Sequence, residues 1–413
     1  MDLNTPALLE NQETTIRLEI LKLGGATLFL IGIVFFITLS MEPTPNHTFL
    51  IVSAVIGGYM ALNIGANDVA NNVGPAVGSK ALTLTGAIFI AMIFESSGAL
   101  IAGGEVVSTI KKGIIDPTLI NNTDTFIWLM LAALLAAAIW LNIATFFNAP
   151  VSTTHSIVGG VLGAGIAAGG FGIANWAVFG KIAASWVISP VLGGLIAALF
   201  LYLIKRTITY QDDMLHAAKR IVPLLIALMA WAFSTYLILK GLKKIWTVDF
   251  AMAGSIAFAI ALTLYFFIRP LIDKAATKLN NSKTSVNALF TIPLIFAAAF
   301  LSFAHGANDV ANAVGPLAAI NDAITHGGIA KKAAIPLWVM LIGALGLSLG
   351  LALYGSKLIR TVGSEITELD KMRAFCISMA AAITVIIASQ FGLPVSSTHI
   401  AVGAIFGVGF LRE

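Results

Sequence analysis

The chain has 413 residues, of which 58% are hydrophobic and 11% charged, with a mean hydropathy of +0.93. An ordinary soluble domain carries roughly 25% charged residues, so most of this chain has lipid as its solvent, which excludes a cytoplasmic enzyme and a disulfide-stapled secreted domain. The net charge of +4 is scattered without a basic stripe, so the pI carries no nucleic-acid signal, and the lone Cys376 has no partner for a disulfide, zinc or redox motif.

Twelve apolar stretches in chain order are spanning candidates, near 21–40, 48–64, 82–103, 126–147, 150–168, 176–204, 221–240, 250–270, 287–304, 334–354, 375–391 and 394–410. The predicted fold is an all-α polytopic membrane protein. The first stretch follows Glu10, Glu13 and Glu19 and lacks a small-x-small cleavage site, so it reads as a retained helix rather than a signal peptide. With a cytoplasmic N-terminus, the inside loops carry sixteen of the 24 Lys and Arg, among them Arg412. The outside loops carry seven: Lys111, Lys112, Lys240, Lys243, Lys244, Lys331 and Lys332. The positive-inside rule favours that orientation, with both termini cytoplasmic and the chain in the plasma membrane.

After the second stretch comes Gly65-Ala66-Asn67-Asp68-Val69-Ala70-Asn71-Asn72-Val73-Gly74-Pro75, which returns at Gly306 to Pro316 with one difference, Asn72 against Ala313. Pro150-Val151-Ser152-Thr153-Thr154-His155 likewise returns as Pro394-Val395-Ser396-Ser397-Thr398-His399. The first motif leads the second by 85 positions in one copy and 88 in the other, as two homologous halves require. Seven stretches separate the first motifs, an odd number, so the halves are expected as an inverted-topology repeat, the architecture of many secondary transporters. The expected boundaries are 1–47 for the N-terminal tail and first helix, 48–204 for repeat 1, 205–286 for connecting scaffold helices and charged loops, and 287–413 for repeat 2. Only two residues separate Phe147 from Pro150 and Phe391 from Pro394. Joints that short suggest re-entrant helical hairpins with tips inside the membrane.

A carboxylate at membrane depth costs roughly 2.5–3.5 kcal/mol on insertion scales, so Asp68 and Asp309 are expected to face a polar cavity or a cation. Gly65, Gly74-Pro75 and their second copies favour a broken helix, whose freed carbonyls would ligate a hard cation together with Asn67, Asn71, Asn308 and Asn312. Helix capping by Asn-Asp is the competing reading. The Pro-Val-Ser motifs read as helix starts, with proline in the first turn and serine and threonine at the cap. A helix start offers unpaired N–H groups to an anion, and the hydroxyls of Ser152, Thr153, Thr154, Ser396, Ser397 and Thr398 would add to them. Ordinary capping and Ser/Thr helix packing compete with that use. Glu95, inside another apolar run, is a candidate for coupling or cation binding, or for a polar contact to its neighbour. His155 and His399 read as hydrogen-bonded helix residues. No Walker A, His-Glu-x-x-His or serine-elbow motif is present, so neither ATP-driven transport nor hydrolysis has support.

The doubled Gly-Ala-Asn-Asp-Val-Ala-Asn, the doubled Pro-Val-Ser-(Thr/Ser)-Thr-His, and Ile93 to Gly98 continuing into Val107 to Asp116 closely resemble the inorganic phosphate transporter (PiT) family, over roughly 55–205 and 287–413. The resemblance implies uptake of inorganic phosphate by cation symport, with sodium in many members and protons with metal-phosphate in many bacterial ones, and a homodimer. It matches Asp68 and Asp309 to the signature aspartates, Glu95 to a downstream glutamate, and Ser152 and Ser396 to the paired serines. A second glutamate of some relatives is Ser378 here, and its role does not carry over. The expectation is a symporter without a cofactor, with sodium at Asn67, Asp68, Asn71, Asn308, Asp309 and Asn312 and phosphate bridging the two helix starts. A proton- or metal-phosphate-coupled permease, a sulfate permease and a passive channel are the rivals.

Overall fold

The computed structural model describes residues 5–41, 46–120, 122–241, 246, 248–326, 335–365 and 369–411. Of the loop charges used to orient the chain, Lys243, Lys244, Lys331, Lys332 and Arg412 lie outside the described residues.

Among the described residues the secondary structure is helical, with one isolated bridge between Ile115 and Ala174. The α-helices are α1 (Thr5–Ser40), α2 (His47–Asn67), α3 (Ala70–Gly78), α4 (Leu84–Ala102), α5 (Gly104–Lys112), α6 (Thr123–Phe146), α7 (Thr153–Gly169), α8 (Trp176–Ile204), α9 (Met214–Gly241), α10 (Phe250–Ala276), α11 (Lys283–Leu289), α12 (Thr291–His326), α13 (Leu337–Arg360), α14 (Lys371–Gln390) and α15 (Ser397–Phe410). Side-chain caps start several of them: Thr83 accepts from the Gly86 N–H, Asp249 from Met252 and Asp370 from Arg373. Large apolar side chains such as Leu28, Phe35, Phe258 and Phe266 stay exposed on α1 and α10, as lipid-facing surfaces require.

Ten described helices are long and apolar enough to cross a bilayer, against the twelve stretches expected. The two that fall short are α7, with 17 residues, and α15, with 14. At 1.5 Å per residue α15 is only about 21 Å long. Both begin at the tips of hairpins, α6–α7 and α14–α15; the second tip is buried at Gly392, Pro394 and Val395, whereas the first is partly open at Phe147 and Pro150. Lys111, expected in a solvent loop, instead lies in α5 and is 3% exposed, paired at 3.1 Å with the buried Asp322 of α12.

The expected broken helix is met by a short interruption at Asp68 and Val69 in the first copy and corrected in the second. Between α2 and α3 the chain makes a single tightened turn: Asp68 and Val69 keep right-handed helical angles, and the Asn71 and Asn72 N–H groups bond the carbonyls of Asp68 and Val69, three residues back. In the second copy α12 runs continuously through Asp309 despite Pro316. The His305–Asp309 contact spans one turn at that point and staples it.

Packing crosses between the copies, with α13 lying along α2 and α4 along α12. Signature glycines allow this: a Cβ on Gly65 would collide with the Leu347 carbonyl, and one on Gly306 with the Glu95 carbonyl. Among the described residues the apolar interior has two large clusters and two small ones. Leu50 to Ile64 of α2 join one large cluster and Val69 to Ala76 of α3 the other. Along α12, Leu294 to Ala304 join the second and Val310 to Ala323 the first. Both aspartates therefore sit at the seam between the two large cores.

Candidate functional site

Hairpin tips build the floor of the site. Asn148 (φ 54°) and Gly392 (φ 64°) close α6 and α14 in the left-handed region. After two further residues and the prolines, Ser152 and Ser396 cap α7 and α15 by accepting the N–H groups of His155 and His399, at 3.1 and 3.2 Å. The prolines thus precede the helices rather than occupying their first turns.

Asn67 and Asn308 fasten each tip to its signature helix. Asn67 Nδ2 donates to Thr145 Oγ1 and the Ala149 carbonyl, both at 3.0 Å, and its Oδ1 accepts the Val151 N–H at 3.1 Å. Asn308 repeats the pattern with Ser389 Oγ at 2.9 Å, the Leu393 carbonyl at 3.2 Å and the Val395 N–H at 3.4 Å. The two tips touch: Thr154 Oγ1 donates to the Val395 carbonyl at 2.9 Å, and the His155 and His399 rings lie 4.7 Å apart.

Within this frame the carboxylates are held differently. Asp68 Oδ1 accepts the Thr398 hydroxyl at 2.8 Å and its Oδ2 accepts that of Thr153, so both hairpins converge on it. Asn71 Nδ2 donates to Thr398 Oγ1 at 2.9 Å, and Asn312 Nδ2 lies 3.2 Å from Thr153 and Thr154 Oγ1. Asp309 Oδ2 accepts the Ser397 hydroxyl at 3.2 Å and meets His305 Nε2 at 2.6 Å. By contrast, Asp309 Oδ1 and Asn312 Oδ1 are buried acceptors without a hydrogen-bond donor.

Sequence reasoning missed His305, although a histidine beside Gly306 at membrane depth, where the first copy has Ile64, was a legible signal. His305 Nδ1 lies 2.8 Å from Glu95 Oε2, and Asn72 Nδ2 donates to Glu95 Oε1 at 2.6 Å. The single mismatch of the repeated motif, Asn72, is therefore a partner of Glu95. The imidazole thus lies between two carboxylates, with Nδ1 toward Glu95 and Nε2 toward Asp309. Donor atoms of Asp68, His305 and Asp309 lie within 4.8 Å of one another, a grouping that suits a cation. Two carboxylates at that distance repel by on the order of 3 kcal/mol at an effective dielectric constant of about 20. No lysine or arginine is among these residues, so anion donors here are hydroxyls and N–H groups.

A cavity of about 590 Å³ between α1, α2, α6 and α13, lined by Lys22, Tyr59, Asn63, Asn142, Asn148 and Lys357, reaches Thr145, the residue that holds Asn67. Beside the second copy, Phe233 and Tyr236 of α9 pack on Phe303 and Ala307. The first tip thus faces a polar vestibule, whereas the second lies near an aromatic plug.

The description "Phosphate transporter family" matches residues 64–413. A protein of Helicobacter pylori strain J99, provisionally named a phosphate permease, is 56% identical over 98% of this chain and 76% of its own length. A Pyrococcus horikoshii protein with the same provisional name is 40% identical, covering 89% of this chain and 90% of its own. A solved structure described as the sodium-dependent phosphate transporter is 38% identical, with a TM-score of 0.84 over 89% of this chain and 90% of that one.

Proposed function

The chain belongs to the phosphate transporter family, and from that premise we propose that it carries inorganic phosphate into the cell in symport with sodium. It is a transporter rather than an enzyme. The observation that carries the coupling is the pair of bare buried acceptors, Asp309 Oδ1 and Asn312 Oδ1, beside a second carboxylate. An unsatisfied buried oxygen costs about 1–3 kcal/mol, and a cation is the ligand that relieves both this cost and the carboxylate repulsion. Sodium is favoured by the described dependence of the solved relative.

A cation at Asp309 would take its bare Oδ1, and one at Asp68 would take over oxygens that now accept hydroxyls. That frees Thr153 and Thr398, with Ser152, Thr154, Ser396 and Ser397 at the same helix starts, to donate to one phosphate between the tips. Two buried carboxylates and an anion repel until cations enter, so each ligand raises the affinity of the other. Asn67 and Asn308 spend their donors on the tips and offer a cation only carbonyl oxygen.

We take residues 48–204 and 287–413 as inverted repeats around a connector at 205–286, in a plasma-membrane homodimer with cytoplasmic termini. A hairpin that enters and leaves on one side removes two crossings, so the parity that inverts the second copy is unchanged. Tips meeting from opposite sides would then lie near the midplane.

The test is labelled-phosphate uptake into proteoliposomes at fixed pH. Uptake should require an inward sodium gradient, and equal uptake with choline refutes sodium coupling. A second reading, transport of a proton- or metal-phosphate pair, is favoured by the imidazole nitrogen in the Asp68, His305, Asp309 group, since nitrogen suits transition metals better than sodium. Uptake driven by a pH gradient or by divalent metal without sodium would select it.

A further inference from the structure

The two copies pack as equivalents down to single atoms. Gly65 and Gly306 press on the carbonyls of Leu347 and Glu95, while Gly98 and Gly350 press on those of Phe303 and Leu62. The hydroxyls of Ser96 and Ser348, one residue beyond Glu95 and Leu347, meet each other at 2.6 Å, and each also bonds a backbone carbonyl of the helix carrying the other. This correspondence equates Glu95 with Leu347, His305 with Ile64, and Asn72 with Ala313.

Three polar residues in contact on one side thus have three apolar counterparts, Ile64, Ala313 and Leu347, all buried in one core on the other. The asymmetry propagates to the aspartates. Asp309 is held from behind by the chain Asn72, Glu95, His305 and keeps one oxygen bare. Asp68 lies farther from the same imidazole, its Oδ2 4.0 Å from His305 Nε2 against 2.6 Å for Asp309, and spends both oxygens on hydroxyls from the two hairpin tips.

Resting on the sodium-phosphate symport proposed above, we infer that Asn72, Glu95 and His305 are positioning residues that make the two cation sites unequal. Asp309 is a preorganised site that takes sodium without phosphate. Asp68 takes sodium only when its hydroxyl donors are drawn off by phosphate. A braced carboxylate with a free oxygen binds without reorganising its surroundings, whereas the Asp68 site must first give up two charge-assisted hydrogen bonds and move both tips. Cation coupling to phosphate therefore resides in the Asp68 half.

Radioactive-sodium binding to the purified full-length protein, with and without inorganic phosphate, tests this. The wild type should show one class of sites without phosphate and a second only with it. In the symmetrised variant Asn72→Ala, Glu95→Leu, His305→Ile, whose new side chains match those packed in the equivalent place, phosphate-free sodium affinity should fall at least about tenfold. Single variants separate positioning from folding: Glu95→Ala should show the same loss, and Glu95→Gln, which can still reach His305 and Asn72, should recover most of it. Unchanged phosphate-free binding in the symmetrised variant and in Glu95→Ala, or two phosphate-independent classes in the wild type, overturns the inference while leaving symport intact. Absence of sodium-stimulated uptake by the wild type overturns symport itself, and the inference with it.

Discussion

Replacing Asp309 by asparagine removes one charge while keeping size and most hydrogen-bonding capacity. A hard cation sits about 2.4 Å from a ligand oxygen, where a carboxylate attracts it by about 7 kcal/mol at an effective dielectric constant of about 20. The repulsion from Asp68, whose donor atom lies within 4.8 Å, is the same with and without the cation, so relieving it stabilises the fold and does not restore cation affinity. Even if the amide oxygen recovers half of the lost attraction, about 3–4 kcal/mol remains, which weakens sodium binding by at least two to three orders of magnitude. The assay is the sodium dependence of labelled-phosphate uptake by proteoliposomes at constant pH, with chromatography and circular dichroism to verify folding. Asp309→Asn should fold, insert and fail to accumulate phosphate at sodium concentrations that saturate the wild type. Accumulation with half-saturating sodium within about threefold of wild type would refute the placement of a cation on this carboxylate.

Three further outcomes follow from the same contacts. Thr398→Val, nearly isosteric, deletes the hydroxyl that Asp68 Oδ1 accepts and should raise the phosphate KM by about tenfold or more, since hydrogen bonds to charged groups are worth about 1.5–3 kcal/mol. Gly306→Ala places a methyl group against the Glu95 carbonyl; helix α4 must shift, and thermal unfolding should register a loss of about 1–3 kcal/mol. Lys111→Met leaves the buried Asp322 with only His326, 3.0 Å away, as a partner of its carboxylate and should cost about 3 kcal/mol, whereas Lys111→Met combined with Asp322→Leu should recover most of it in the same melting assay.

Much of the site was legible along the chain. The repeated Asn-Asp and Ser-Thr motifs announced themselves because a polar residue in lipid needs a reason to persist, and each appears twice. His305 and Asn72 escaped because each occurs in one copy only, so repetition, the signal that lifted the others above ordinary capping, was silent. The broken helix, present as a short interruption at Asp68 and Val69, was wrongly expected in the second copy because glycine and proline weaken a helix locally. In α12 a side-chain staple and complete burial outweigh them.

The sequence by itself determined that this is a helical membrane protein with a doubled pair of motifs and carboxylates set among its apolar stretches. Composition and repetition suffice for that, because lipid leaves the backbone no alternative to internal hydrogen bonds and an intramembrane charge no indifferent place. Only the tertiary structure decided which atoms meet. It crossed the copies so that Glu95 reaches His305, 210 positions away, and Thr398 reaches Asp68, 330 positions away. Those contacts leave one aspartate braced with a bare oxygen and the other covered by the hairpin tips. The reason is physical: the two motifs are almost the same string, and what makes them unequal is the neighbour each is packed against.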